Sequence, residues 1–241
     1  MKTRMWTKEA LRRALLLYAV SSRASLRTGE TLNGAVKELI DGGITMLQWR
    51  EKGEEDAALA AERERVQALC RAAGIPLIMN DSLEAFRKSG ADGVHLGQTD
   101  LREAAARSLG ISGGDTKALP DGSIKALVGS GKILGITARS VESAREAERL
   151  GADYIGAGAV FGTATKADAL PLSIAAFREI TEAVSIPVVA IGGINEENVE
   201  RLLGSGAVGI AVVSALFGAA KRQLTAAALR AKAEKLFGNK N

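Results

Sequence analysis

The feature that most narrows what this chain can fold into is an alternation that runs along nearly all of it. Eight short runs of β-type apolar residues, at about 15–20, 44–49, 76–80, 93–96, 132–136, 153–158, 187–191 and 207–213, are separated by stretches with helical periodicity. Strands that alternate with helices pair in parallel, because each connection has to cross back over the sheet before the next strand starts. A short phrase marks several of these crossings: Gly90-Ala91-Asp92-Gly93-Val94, Gly151-Ala152-Asp153-Tyr154-Ile155 and Gly206-Ala207-Val208-Gly209-Ile210, with Gly42-Gly43-Ile44 earlier. In each, a glycine able to adopt the left-handed conformation ends a helix and turns the chain into a strand. Eight such units predict an α/β fold, a TIM (β/α)8 barrel, with an open doubly wound sheet as the alternative. Gly156-Ala157-Gly158 lacks the third glycine of a dinucleotide fingerprint, so no dinucleotide signal is present.

No Pro/Ser-rich linker or charge block divides the 241 residues, and 46% of them are apolar with few aromatics. A single barrel domain over 1–241 is expected, with 1–14 as a helical extension beginning near Lys8 and 218–241 as a C-terminal helix and tail. Met1 to Arg13 is basic and precedes an apolar run, a faint signal-peptide outline. Glu9 and the shortness of that run favour a buried first strand instead. No apolar stretch approaches the length that spans a bilayer. Cys70 is the only cysteine, which excludes an intrachain disulfide and a cysteine metal cluster and makes a reducing, cytoplasmic setting the default. The net charge of +4 is spread over mixed faces such as Glu62-Arg63-Glu64-Arg65, the pattern of a solvated surface. It points away from nucleic acid and toward small anionic ligands.

The residues that carry chemistry close these strands. Gln48, Arg50 and Lys52 are two apart, so on an extended segment their side chains share one direction, and Trp49 and Glu51 face the other way. Asp81 and Asp100 follow adjacent strands and offer the hard oxygens that Mg2+ prefers when it also holds substrate phosphates. Each also reads as a helix N-cap with Glu three residues on, in Asp81-Ser82-Leu83-Glu84 and Asp100-Leu101-Arg102-Glu103. Thr163-Ala164-Thr165-Lys166 follows the sixth strand. Gly192-Gly193 follows the seventh, and Val213-Ser214 opens the last helix, the two places where barrels of this class often bind phosphate. The only histidine, His95, lies inside the fourth strand and reads as a core residue satisfied by a neighbour.

At these residues the chain resembles the thiamine phosphate synthase family, from about Leu17 to Phe217. The likeness rests on Gln48-Trp49-Arg50-Glu51-Lys52, Ile78-Met79-Asn80-Asp81, the run from Gly90 to Asp100, Gly135-Ile136-Thr137, Thr163-Ala164-Thr165-Lys166, Ile191-Gly192-Gly193-Ile194 and Val212-Val213-Ser214. The resemblance implies a transferase that joins an aminopyrimidine diphosphate to a thiazole phosphate and releases pyrophosphate. It implies that Gln48, Trp49, Arg50, Glu51, Lys52, Asn80, Thr137 and Lys166 contact the pyrimidine diphosphate, and that Asp81 and Asp100 hold Mg2+. Thr163, Thr165, Gly193, Val213 and Ser214 would then hold the thiazole phosphate, with Ala164 a further substrate-binding residue and Arg50, Lys52 and Lys166 as the catalytic cations. Three departures stand out: Ala159 and Gly162 where the family usually has proline, Ser21-Ser22 where an aspartate is common, and a longer segment between Asp100 and Lys132, expected to be a surface loop more than a lid. Two other readings remain: a thiazole tautomerase-like isomerase, which characteristically has a histidine where this chain has Arg139, and a non-catalytic phosphate-binding barrel. The sequence leaves the oligomeric state open, a homo-oligomer included.

Overall fold

The computed structural model describes residues 6–51, 56–110, 115–162 and 171–238. Eight parallel strands, β1 (Leu17–Val20), β2 (Met46–Trp49), β3 (Leu77–Asn80), β4 (Gly93–Leu96), β5 (Ile133–Ala138), β6 (Tyr154–Gly158), β7 (Val188–Ile191) and β8 (Ile210–Val212), hydrogen-bond in chain order and close when β8 pairs with β1. The open-sheet alternative is excluded. Between them run α2 (Leu32–Asp41), α3 (Ala57–Ala73), α4 (Leu83–Ser89), α5 (Gln98–Leu109), α6 (Ser123–Val128), α7 (Val141–Arg149) and α8 (Ile174–Ala183). A 3-10 turn (Val199–Leu202) follows β7, and α9 (Ser214–Phe217) and α10 (Arg222–Phe237) follow β8. No helix among the described residues is long and apolar enough to cross a membrane.

Strand alternation sorts the apolar residues into two clusters. Leu17, Ala19, Leu47, Leu77, Met79, Leu134, Ile136, Ile155, Val188, Ala190 and Ile210 face outward and pack with the helices. Tyr18, Val20, Met46, Ile78, Ile133, Tyr154, Val189 and Ala211 face the barrel axis. Both faces of each strand are covered, which is why the strands read as continuous apolar runs and not as alternating ones. Leu11 and Ala14 of α1 (Lys8–Ala14) belong to the inner cluster, with Trp6 packed against it. The N-terminal helix therefore packs against the inner core of the barrel.

The recurring glycine-alanine-aspartate phrase has a second function besides turning the chain. Asp92 Oδ2 accepts the Leu77 amide at 2.9 Å, and Asp153 Oδ2 accepts the Leu134 amide at 2.7 Å. Thr45 Oγ1 does the same for Leu17 at 2.8 Å. Each pins the first or second amide of the preceding strand, fixing register at the barrel's base. Gly90, Gly151 and Gly206 have φ of 66, 93 and 87°, as the sequence requires. In the Gly42-Gly43 pair the left-handed residue is Gly43, while Gly42 sits so close to α10 that a Cβ would lie 2.5 Å from the Gln223 carbonyl oxygen.

Two expectations need adjustment, and a third question is answered. β8 spans only three residues, because Ala207-Val208-Gly209 run up to it as irregular backbone bonded to Val188 and Ala190. Val213-Ser214 opens the four-residue α9, not the last helix, which is α10. The described part of the long segment after Asp100 is no lid: Leu119 and Ile124 are buried, and Arg149 of α7 donates to the Thr116 and Leu119 carbonyls.

Candidate active site

At the C-terminal end of the barrel lies a cavity of about 330 Å3, within the usual size range for small-molecule sites. Its wall takes residues from every strand or strand exit: Tyr18 and Val20, Gln48 and Arg50, Asn80 and Asp81, His95, Thr137 and Arg139, Gly156 and Gly158, Val189 and Ile191, Ala211 and Val213. Gln98, Thr99 and Asp100, the first turn of α5, complete it. Gln48 and Arg50 face the cavity as the two-residue spacing requires. Trp49 points outward into the helix-facing core, and Glu51 is not in the wall. The Glu51 carboxylate accepts the Ser21 hydroxyl at 2.8 Å and pairs with Arg23 at 3.4 Å. Burial raises its pKa, and the Ser21 and Arg23 contacts oppose that rise. Direct ligand contact from Trp49 and Glu51, implied by the resemblance, is therefore not what this geometry offers. Ser21 also accepts the Arg50 amide at 2.8 Å, so it joins the exits of β1 and β2.

The two aspartates come together. Asp81 is the one non-glycine residue with positive φ among those described, at 66°, and its amide donates to the His95 carbonyl at 2.8 Å. Such backbone strain persists where surrounding structure fixes it, often at functional sites. The cap of α4 is Ser82, whose Oγ accepts the Ala85 amide at 3.0 Å, so Asp81 is not the capping residue that the sequence suggested. Asp100 is the third residue of α5 and not its cap; its Oδ2 reaches back to the Gly97 amide at 3.1 Å. Burial raises the Asp100 pKa, and the Asp81 carboxylate beside it raises it further. Two carboxylates held close enough to repel are a site that a cation would neutralise.

The opposite side of the mouth is built from backbone. Gly192 and Gly193 have φ of 103 and 67°. A Cβ on Gly192 would lie 2.4 Å from that of Ala159, and one on Gly193 would lie 2.3 Å from the Gly162 carbonyl oxygen. Both glycines are thus required by the close approach of the 159–162 loop, whose Val160 and Phe161 amides donate to Ile191 and Gly192. Gly192 and Val213 line the cavity; Gly193 and Ser214 each sit one residue beyond. Lys52, Thr163, Ala164, Thr165 and Lys166 lie outside the described residues.

The floor carries a feature that the sequence did not disclose. Gln48 Nε2 donates to the Tyr18 hydroxyl at 2.7 Å, and the Tyr18 and Tyr154 hydroxyls are 3.0 Å apart. The Tyr154 hydroxyl is 3.0 Å from His95 Nδ1, and His95 Nε2 is 2.9 Å from Thr137 Oγ1. His95 is satisfied by neighbours, as expected, yet it also faces the cavity. Gly135 and Gly156 make room for this layer: a Cβ on Gly135 would lie 2.2 Å from the Tyr154 ring, and one on Gly156 would lie 3.0 Å from His95. The available signal was that the chain's two tyrosines both fall on strands, where a buried phenol needs a polar partner.

A closed parallel barrel whose mouth joins paired carboxylates, an arginine and glycine-lined backbone belongs to the TIM-barrel proteins equipped for phosphorylated ligands. The family model for thiamine monophosphate synthase matches residues 17–216, and the chain belongs to that family. It is 42% identical over 200 residues to a thiamine-phosphate synthase of Ruminiclostridium cellulolyticum, covering 83% of this chain and 86% of the relative. A thiamine-phosphate synthase of Chloroflexus aurantiacus is 39% identical over 218 residues, covering 90% of this chain and 91% of the relative. Among solved structures, a thiamine phosphate pyrophosphorylase from Pyrococcus furiosus superposes with a TM-score of 0.76 at 33% identity, over 95% of this chain and 100% of the other.

Proposed function

We infer that this chain is a thiamine phosphate synthase: it condenses an aminopyrimidine carrying a diphosphooxymethyl group with a thiazole phosphate and releases pyrophosphate. The observation that carries the reading is the meeting of the Asp81–Asp100 pair with Gln48 and Arg50 in one cavity, in a chain matched to the family over 17–216. The same pair, and Arg139 in the wall at the exit of β5, favour a synthase over the tautomerase.

The carbon–oxygen bond to the diphosphate breaks with its electron pair leaving on pyrophosphate, and the electron-rich aminopyrimidine stabilises the methylene cation left behind. The thiazole nitrogen then supplies its lone pair to form the new carbon–nitrogen bond. That nitrogen carries no proton, so the chain needs no general base. Arg50, with Lys52 and Lys166, stabilises the departing charge; Gln48, Asn80 and Thr137 orient the pyrimidine. Gly193, Ser214 and the 163–165 segment hold the thiazole phosphate and direct its nitrogen.

Mg2+ fits this donor set. Among the described residues no group of three or more histidine, cysteine or carboxylate side chains could hold a metal, and Asp81 and Asp100 are the described carboxylates in the cavity wall. Two hard carboxylates suit an ion that keeps waters and takes its other oxygens from a diphosphate. Asp81 and Asp100 would hold it, and when bound it neutralises charge building on the leaving pyrophosphate. The buried, unpaired Cys70 thiol supports a cytoplasmic location. Pyrophosphate release measured with both substrates, with and without Mg2+, tests the reading. Release that needs the thiazole phosphate and the metal is expected; isomerisation of the thiazole alone, or binding with no turnover, would reject it.

A further inference from the structure

With Gln48 donating, the hydrogen-bonded chain across the barrel floor has one donor–acceptor order in which the buried Tyr18 hydroxyl also places its own hydrogen on a partner. Gln48 Nε2 can only donate, so the Tyr18 oxygen accepts. Its own proton then goes to Tyr154, 3.0 Å away, and the Tyr154 proton goes to His95 Nδ1. A ring that accepts at Nδ1 carries its proton on Nε2 and donates it to Thr137 Oγ1. Two results reach the cavity. Gln48 has spent an amide hydrogen below and keeps its carbonyl oxygen as an acceptor, and Thr137, accepting from His95, keeps its hydroxyl hydrogen to donate. The reverse order would invert both ends together: Gln48 would show its amide and Thr137 a lone pair.

The chain is built to hold that order. Tyr18 and Tyr154 are 1% and 0% exposed, so water does not compete for their hydroxyls. Burial raises both phenol pKa values, which keeps each proton in place. Gly135 and Gly156 leave the space that the Tyr154 and His95 rings fill. A buried polar row with every member paired is rigid, and reversing one link requires reversing all of them.

We propose that Tyr18, Tyr154 and His95 are positioning residues that fix Gln48 as an acceptor and Thr137 as a donor, and so select a pyrimidine bearing an amino donor and an unprotonated ring nitrogen over its oxo analogue. The inference rests on the substrate reading above. An oxo ring with a protonated neighbouring nitrogen presents carbonyl oxygen to carbonyl oxygen at Gln48. A buried site matched to one hydrogen-bond pattern rejects the inverted pattern strongly, because its own polar groups are then left unpaired. With Tyr18→Phe the amide is no longer held and can turn, so the preference collapses while the phosphate-binding residues stay where they are.

Two measurements test this. His95 is the only histidine, so 15N-histidine labelling gives one pair of ring resonances. The expected pattern is the neutral tautomer with the proton on Nε2, in the free protein and with the aminopyrimidine diphosphate bound; a proton on Nδ1 overturns the order. The second measurement is calorimetric titration without thiazole phosphate, using the aminopyrimidine diphosphate, its 4-oxo analogue and inorganic pyrophosphate, each with Mg2+. The wild type should prefer the amino over the oxo ligand by at least about 100-fold. Tyr18→Phe and Tyr154→Phe should each cut that ratio by about tenfold or more, with pyrophosphate affinity unchanged as proof of an intact site. An unchanged ratio in both variants overturns the positioning role. If the aminopyrimidine diphosphate binds the wild type no better than pyrophosphate does, the substrate reading itself fails and takes this inference with it.

Discussion

Gly193 and Gly74 allow two costs to be separated in one protein. Their φ values, 67 and 70°, are nearly the same. A side chain at either pays about 1–2 kcal/mol for the left-handed conformation. Their surroundings differ: a Cβ on Gly74 meets nothing within 4 Å, whereas one on Gly193 lies 2.3 Å from the Gly162 carbonyl oxygen and 3.0 Å from Phe161. The nearest obstacle is backbone, so it cannot rotate away, and overpacking of this kind adds about 1–3 kcal/mol. Gly193→Ala should therefore cost about 2–5 kcal/mol in urea unfolding, against about 1–2 for Gly74→Ala. The functional consequence is separate. Relief of the clash moves the 159–162 loop, which leads directly into the 163–165 segment expected at the thiazole phosphate. The Michaelis constant for the thiazole phosphate should rise about tenfold or more in Gly193→Ala, about 1.4 kcal/mol of binding, with the pyrimidine constant little changed. Gly74→Ala should leave both constants alone. If Gly193→Ala is no less stable than Gly74→Ala, or if it raises both constants equally, the close approach does not govern that side of the site.

Further outcomes test the other assignments. Asp81→Asn and Asp100→Asn should each raise the Mg2+ concentration needed for half-maximal turnover by at least about tenfold; wild-type turnover of both variants at limiting Mg2+ would reject metal binding. Lys166→Ala should lower turnover by about 100-fold, the loss typical of one charge-stabilising donor, and Lys166→Arg should recover part of it. An arginine variant as inactive as alanine, still binding both substrates, would instead point to a base. Burial, and then the Asp92 charge, push the Cys70 thiol up to about 12. The folded state thus holds this proton more tightly than the unfolded chain, so the stability it contributes is full below the ordinary thiol value of about 8.5 and is lost as pH rises toward about 12. Native protein at pH 8 should resist iodoacetamide while urea-unfolded protein reacts; fast native alkylation would show that the thiol is accessible.

The parts of this fold legible in the sequence are those set by local rules. Left-handed glycines at 90, 151 and 206 announce helix-to-strand turns because few other residues tolerate that φ. The mouth was legible for a related reason: Arg50, Asp81 and Asp100 are charged side chains at the ends of apolar runs, and such residues have few reasons to be there apart from a ligand. What was misread is what depends on partners far along the chain. Asp81 resembles a cap until Ser82 is seen to do that work. The aspartates of the repeated phrase look like turn residues until Asp92 and Asp153 are found on amides fifteen and nineteen positions away.

The floor chain shows why the remainder was hidden. Tyr18, Gln48, His95, Thr137 and Tyr154 come from five strands, and no two that touch are closer than 30 positions in sequence. Taken singly, Tyr18, His95 and Tyr154 are polar residues inside strands, and the economical reading of each is a satisfied core position. Only closure of the barrel brings β1 and β6 across from one another and turns five separate accommodations into one directed row. Charge at the rim can be moved by substituting one residue, since its effect passes through space. In the floor a single substitution instead breaks the donor–acceptor order of the whole row, since each hydroxyl fixes the next. Selectivity for the ring and stabilisation of the departing diphosphate should therefore respond to different mutations in the same cavity, with rim variants changing turnover and floor variants changing which ring is accepted.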